Sequence, residues 1–139
     1  VKLVNKNIPP KVFVGLDIKE DINPEIIKKI VCDFFKIDID IIFEKTRNRE
    51  IIEPRQLIQF FCRKFIKIAS RYNKKGYREL PLNEIARFTK VTNHATVISN
   101  IKRIKGFIDT DKNFKKRIEA IEALINEYNL IANKNKKDA

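Results

Sequence analysis

With 139 residues and a formal charge of +12, the chain has the size of one ordinary domain and the charge of a protein with a polyanionic partner, either nucleic acid or an anionic membrane surface. No apolar run approaches the roughly 20 residues that a membrane span needs, and the N-terminus lacks the order of a signal peptide, so a cytoplasmic chain without membrane contact is expected. Cys32 and Cys62 have neither C-x-x-C nor metal-ligand spacing, which points to two reduced thiols and no metal site.

Residues 1 to 22 carry the Pro9-Pro10 pair and a short apolar alternation, Val12, Val14 and Leu16, and read as an irregular arm that could hold a protein partner. The chain begins at Val1 and has no Met, so a processed or cut form with residues missing upstream is expected. At Asn23-Pro24-Glu25 a capping residue, a proline and an acid announce a helix. Ile26, Ile27, Ile30, Val31 and Phe34 then continue at helical spacing to about Lys36. A short helix is expected from Ile39 to Glu44, followed by a basic loop over 45–53.

Pro54 reads as the start of the next helix, running to about Ser70. Leu57, Ile58, Phe61, Phe65 and Ile68 form its apolar stripe, while Arg55, Gln59, Arg63 and Lys67 recur every four residues on the other side, by default a solvated face. Ile, Lys and Asn supply 58 residues, the bias of a low-GC coding sequence, so lysine excess alone is weak evidence. Arginine placement says more: Arg47, Arg49, Arg55, Arg63, Arg71 and Arg78, six of the nine, crowd one short window, as a phosphate-tracking surface would require.

SRYNKKGYRE, with Gly76 as breaker, is a polar connection. LPLNEIARF forms a helix of two turns with Leu82, Ile85 and Phe88 inward, and the turn TKVT leads to a helix from His94 to Lys105. There Val97, Ile98, Ile101 and Ile104 face the core and Ala95, Ser99, Lys102 and Arg103 face out. The last helix runs from about Asp111 to Ile131, with Phe114, Ile118, Ile121, Leu124, Ile125 and Leu130 inward, before a polar tail over 133–139. The expected architecture is an all-α bundle of five or six helices spanning 23–132, with an irregular N-terminal arm.

A two-turn helix, a short turn and a longer helix with a small, polar, basic outer face make a helix-turn-helix pattern, whose second helix enters the major groove. On this reading Ala95 could touch a thymine methyl, Asn93 could pair with adenine, and Lys102 or Arg103 could hold phosphates. Taken alone, His94 would more often be a border residue, and Asn93 or Thr92 could simply cap the helix.

RNREIIEPRQLIQFFCRKF followed by LPLNEIARFTKVTNHATVISNIKRI closely resembles the C-terminal DNA-binding domain of the bacterial replication initiator DnaA, from about Glu25 to Tyr128. The resemblance rests on a basic loop leading into Pro-Arg-Gln, on Leu-x-Glu-Ile in the first motif helix, and on Asn-His-Ala-Thr-Val where that family shows Asp-His-Ser/Thr-Thr-Val. It implies a sequence-selective binder of double-stranded DNA. In that family's pattern Arg47 matches an arginine that enters the minor groove, Arg49, Arg55 and Gln56 match neighbouring contacts, and Arg63 matches a phosphate-contacting lysine. Asn93, His94, Ala95 and Thr96 match residues that read bases and adjacent phosphates.

The chain departs from the pattern where the family's Gly-Gly-Arg-Asp is Lys90-Val91-Thr92-Asn93, where Ala95 replaces a hydroxyl residue, and where the connection Arg71 to Glu79 is longer. A target other than the initiator's own is therefore expected. Gly15, Gly76 and Gly106 are the only glycines, and no G-x-x-x-x-G-K-[ST] occurs, so the family's ATPase module is absent from this sequence. One histidine assembles no catalytic triad, and no cofactor, small-molecule substrate or enzymatic activity is expected. The competing reading is a protein-interaction or recruitment module of a regulator or mobile element that keeps the fold with weak or nonspecific DNA binding.

Overall fold

A computed structural model describes residues 22–44, 48–69 and 76–138. Residues 1–21 of the expected arm over 1–22, residues 45–47 of the expected basic loop and residues 70–75 of the expected polar connection lie outside that range. Ile22, the last arm residue, is buried at the edge of the core.

Helix α1 spans Pro24–Phe35 and starts as its sequence requires: the Asn23 side chain accepts from the Ile26 N–H at 3.1 Å, and Pro24 occupies the first turn. It ends with Lys36 in the left-handed region, φ 58°, while the Ile37 N–H reaches back to the Cys32 carbonyl at 2.9 Å. The short helix expected from Ile39 to Glu44 does not form; the segment is a series of turns. Asp38 Oδ1 accepts from the Asp40 N–H at 2.9 Å, and the Ile41 N–H bonds the Asp38 carbonyl, so side chain and carbonyl together favour a turn over a helix. Ile42 anchors these turns in the core.

Helix α2 spans Arg49–Phe65, beginning five residues before Pro54. Asn48 supplies the cap, its side chain accepting from the Glu50 N–H at 2.9 Å. Pro54 is tolerated inside the helix because the bond it cannot donate would end on the Glu50 carbonyl, in the exposed first turn. The helix stops at Phe65, short of the expected Ser70, and the chain turns into strand β1, Lys67–Ala69. This strand pairs antiparallel with β2, Tyr77–Glu79, in the register Lys67 to Glu79, Ile68 to Arg78 and Ala69 to Tyr77. The two-stranded ribbon is an addition to the expected all-α bundle. Ile68 is buried as expected, but from a strand.

Helices α3, Leu82–Phe88, and α4, His94–Thr110, form the expected pair, with α4 continuing through Gly106. The extra turn is held by Phe107, whose ring lies 5.4 Å from that of Phe114, and by Ile108 against the core. Asp111 then caps α5, Lys112–Asp138, by accepting from the Asn113 and Phe114 N–H groups at 3.0 and 3.1 Å. Phe114, Ile118, Ile121 and Ile125 face inward, whereas Leu124 and Leu130, also expected inside, are 42% and 70% exposed.

The core is one cluster in which α1 packs on α2 and α5, and α4 packs on α2, α3 and α5. Phe61, fully buried on α2, sits at its centre; truncating such a side chain to alanine costs about 3–5 kcal/mol. The five helices therefore make the expected bundle, with α4 held on three sides and one long edge left to solvent. No described helix is long and apolar enough to cross a membrane.

Candidate nucleic-acid interface

The turn from α3 to α4 is a tight helix end built without glycine. The Lys90 N–H bonds the Arg87 carbonyl at 3.2 Å and the Val91 N–H bonds the Ala86 carbonyl at 2.9 Å, which places Lys90 in the left-handed region at φ 60°. Asn93 then caps α4, its Oδ1 accepting from the Ala95 N–H at 2.8 Å. Asn93 is exposed, and its amide nitrogen makes no hydrogen bond to a described residue. The sequence alternatives of capping and contact are thus compatible in one side chain.

His94, Ala95 and Thr96 form the first turn of α4 and all three are exposed. The turn carries no acidic residue, so the positive end of the helix dipole is not offset by a neighbouring carboxylate. His94 is exposed and not the border residue that its wheel position alone suggested. Farther along the same helix Lys102, Arg103 and Lys105 are exposed, and Arg103 stacks over the Phe107 ring at 5.4 Å. Stacking leaves its guanidinium edge available to acceptors while fixing its position.

What fixes α4 relative to the rest is a chain of amides that the sequence pattern concealed. Gln56 Nε2 donates to Asn100 Oδ1 at 3.1 Å, Asn100 Nδ2 donates to Gln59 Oε1 at 2.8 Å, and Gln59 Nε2 donates to Thr89 Oγ1 at 3.0 Å. The Thr89 hydroxyl in turn donates to the Ile85 carbonyl at 2.8 Å. Gln59 and Thr89 are 1% and 2% exposed. Gln59 is therefore not part of a solvated face, and the chain links α2, the helix-turn-helix turn and α4 in a low-dielectric setting where each bond counts. The only sequence signal was the presence of amides inside apolar runs, LIQFF and VISNI.

The remaining expected site residues are distributed as follows. Arg47 lies outside the described residues, and Arg49, expected in a loop, opens α2. Arg55 donates from Nε to the Ile42 carbonyl at 2.6 Å and from its terminal nitrogen to the Glu44 carbonyl, tying the 39–44 turns to α2. Partial burial pulls its guanidinium below the ordinary arginine pKa. Gln56 sits at the outer end of the amide chain and lines a groove of ≈ 410 Å³ with Ile52, Glu53, Arg103 and Phe107. Arg63 donates to the Leu80 carbonyl at 2.7 Å and pairs with Glu79 at 3.2 Å, holding β2 and the entry to α3 against α2. The structure thus brings Asn93, His94, Ala95 and Thr96 together on one edge, with Lys102 and Arg103 on the same helix.

Among the described residues no cluster of three or more His, Cys, Asp or Glu side chains could hold a metal. Cys32 and Cys62 are both buried free thiols. Burial pushes the Cys32 thiol up to about 11, with Lys28 pulling the other way, and burial raises Cys62 further.

Residues 24–104 match the family model described as bacterial DnaA protein helix-turn-helix. The chain is 30% identical over 107 residues to the chromosomal replication initiator protein DnaA of Flavobacterium psychrophilum, covering 76% of this chain and 20% of that one. The corresponding protein of Bacteroides thetaiotaomicron is 30% identical over 99 residues, covering 71% and 18%. That of Spiroplasma citri is 30% identical over 110 residues, covering 79% and 22%. The chain spans about a fifth of the length of these relatives.

Proposed function

We propose that this chain, which belongs to the bacterial DnaA helix-turn-helix family, binds double-stranded DNA with sequence selectivity and places the first turn of α4 in the major groove. The observation that carries this reading is the exposed, acid-free first turn formed by His94, Ala95 and Thr96, on a helix anchored at its other side by the Gln56–Asn100–Gln59–Thr89 chain. Readout of base edges needs side chains held in a fixed position as well as the correct residue types. A helix gripped by hydrogen-bonded amides, the central Gln59 buried, meets that need.

In this mechanism phosphate contacts position the protein and base contacts specify the site. Lys102 and Arg103 hold phosphates along the groove, and Asn93 uses its amide nitrogen while its oxygen caps the helix. Ala95 offers a methyl surface to a thymine methyl, where a hydroxyl residue would offer a hydrogen bond. On the strength of the family pattern, Arg47 reaches the adjacent minor groove and Arg49 makes a neighbouring backbone or groove contact. Arg63 adds positive potential behind the protein–phosphate boundary, its hydrogen bonds to Leu80 and Glu79 fixing its direction. The domain so defined is a binding domain; the replication activity implied by the relatives' name is not carried over to a chain of a fifth of their length.

Selection of bound duplexes from a random library, at near-physiological salt, tests the proposal. Enrichment of one motif with an A·T-rich flank is the expected result. Salt-sensitive binding without any enrichment would leave only a phosphate-tracking domain and contradict base readout.

A further inference from the structure

We infer that the trough between the end of α2, the β1–β2 ribbon and α4 is a second phosphate-binding surface, which takes the backbone of the same duplex beyond the bases met by the first turn of α4. The inference rests on the function proposed above and adds to it a surface outside the helix-turn-helix.

The trough, ≈ 420 Å³, is lined by Arg63, Lys64, Lys67, Glu79 and Lys105 over the Phe60 ring. Two of its four cations are already matched within the protein: Arg63 pairs with Glu79 at 3.2 Å, and Lys64 pairs with Glu122 on α5. Lys67 and Lys105 make no ion pair with a described residue. They enter one concavity from two different elements, a strand and a helix. Unmatched like charges in a concave, partly apolar setting raise the local potential and favour an anion there.

Both are also held in place. Lys67 lies on a strand in register with Glu79, and Arg63 fastens the base of that ribbon through the Leu80 carbonyl. Lys105 follows His94 by three helical turns, so it lies on the same side of α4, about 16 Å farther along the axis. That distance is roughly five base-pair steps of a duplex. A backbone running from the His94 end toward the trough would therefore reach Lys105 and Lys67 outside the bases read by the first turn. Strand β2, which lies in the longer connection that sets this chain apart from the family pattern, pairs with the strand that carries Lys67.

The test compares a duplex trimmed to the selected site with one extended by about one helical turn, roughly 10 base pairs, on each side. Wild type and the Lys67→Gln, Lys105→Gln double variant, which removes charge but keeps the stems, are titrated over a range of salt. Wild type should bind the extended duplex more tightly, and the double variant should lose that gain, with a log–log salt slope shallower by about 2 on the extended duplex and unchanged on the trimmed one. Selective wild-type binding to the trimmed site with no gain on extension, or a double variant indistinguishable from wild type on both, would overturn the trough while leaving the α4 reading intact. Absence of selective wild-type binding to either duplex would instead overturn the α4 reading, and the trough with it.

Discussion

Asn100 of α4 and Gln59 of α2 are joined by a hydrogen bond of 2.8 Å. Gln59 passes the connection to Thr89 in the helix-turn-helix turn at 3.0 Å. Replacing Gln59 with Leu would leave the Asn100 amide and the Thr89 hydroxyl each short of a partner. We expect a stability loss of about 1–3 kcal/mol, read by urea denaturation, together with weaker binding to the preferred duplex. A Gln59, Asn100 double-mutant cycle should show coupling beyond additivity. Additive losses would mean that the amide chain does not act as a unit.

Lys90 offers a test of the turn. At φ 60° a lysine carries a left-handed penalty that glycine avoids, of about 1–2 kcal/mol, partly offset by the greater freedom glycine has in the unfolded chain. Lys90→Gly should therefore raise stability by roughly 0.5–1 kcal/mol, and Lys36→Gly, at φ 58°, should do the same independently. Thermal unfolding of both single variants and the double checks sign and additivity. A fall in melting temperature for both would contradict the backbone argument.

The bundle and its motif pair were legible because each had a local cause. Asn23-Pro24 starts α1, and the apolar spacing of Val97, Ile101 and Ile104 defines α4. Misreadings arose where a local signal had two meanings. Pro54 is a good first-turn residue, but the Asn48 cap set the start of α2 earlier and left the proline inside. The Arg55, Gln59, Arg63 stripe has the period of a solvent face, yet its partners, the Ile42, Thr89 and Leu80 groups, come from distant parts of the chain. Strands of three residues are too short to show an alternation, so the ribbon could not be read. Leu124 and Leu130 fit the α5 period but lie past the edge of the surface that α1 and α4 cover.

Arg63 has both a structural and an electrostatic role in this account. Arg63→Ala should cost about 1–3 kcal/mol of stability, because it removes the side-chain donor to the carbonyl of the buried Leu80. It should also weaken binding to every duplex and lower the log–log salt slope by about 1. Arg63→Lys, measured alongside, should restore most of the slope and less of the stability, because one ammonium replaces a fork that reaches both Leu80 and Glu79. An unchanged slope in the alanine variant would confine Arg63 to its structural role.

Both thiols should be inert in the native state at neutral pH, since burial holds Cys32 and Cys62 protonated. A thiol reagent should react on the timescale of unfolding, and quickly only in denaturant. The sign of the pH effect follows: a thiol whose pKa is raised by folding stabilises the native state fully below its unfolded value, near 8.5. That contribution is lost as pH rises from there toward about 11 for Cys32. Cys32→Ala should flatten the alkaline limb of a stability–pH curve, and an unaltered limb would count against the burial argument.

Base readout by the exposed first turn of α4 is decided by the affinity of wild type and His94→Ala for the selected duplex and for random-sequence duplex at the same salt. A loss of roughly 1–3 kcal/mol is expected on the selected duplex and none on random DNA. Equal losses on both, or none on either, would contradict it.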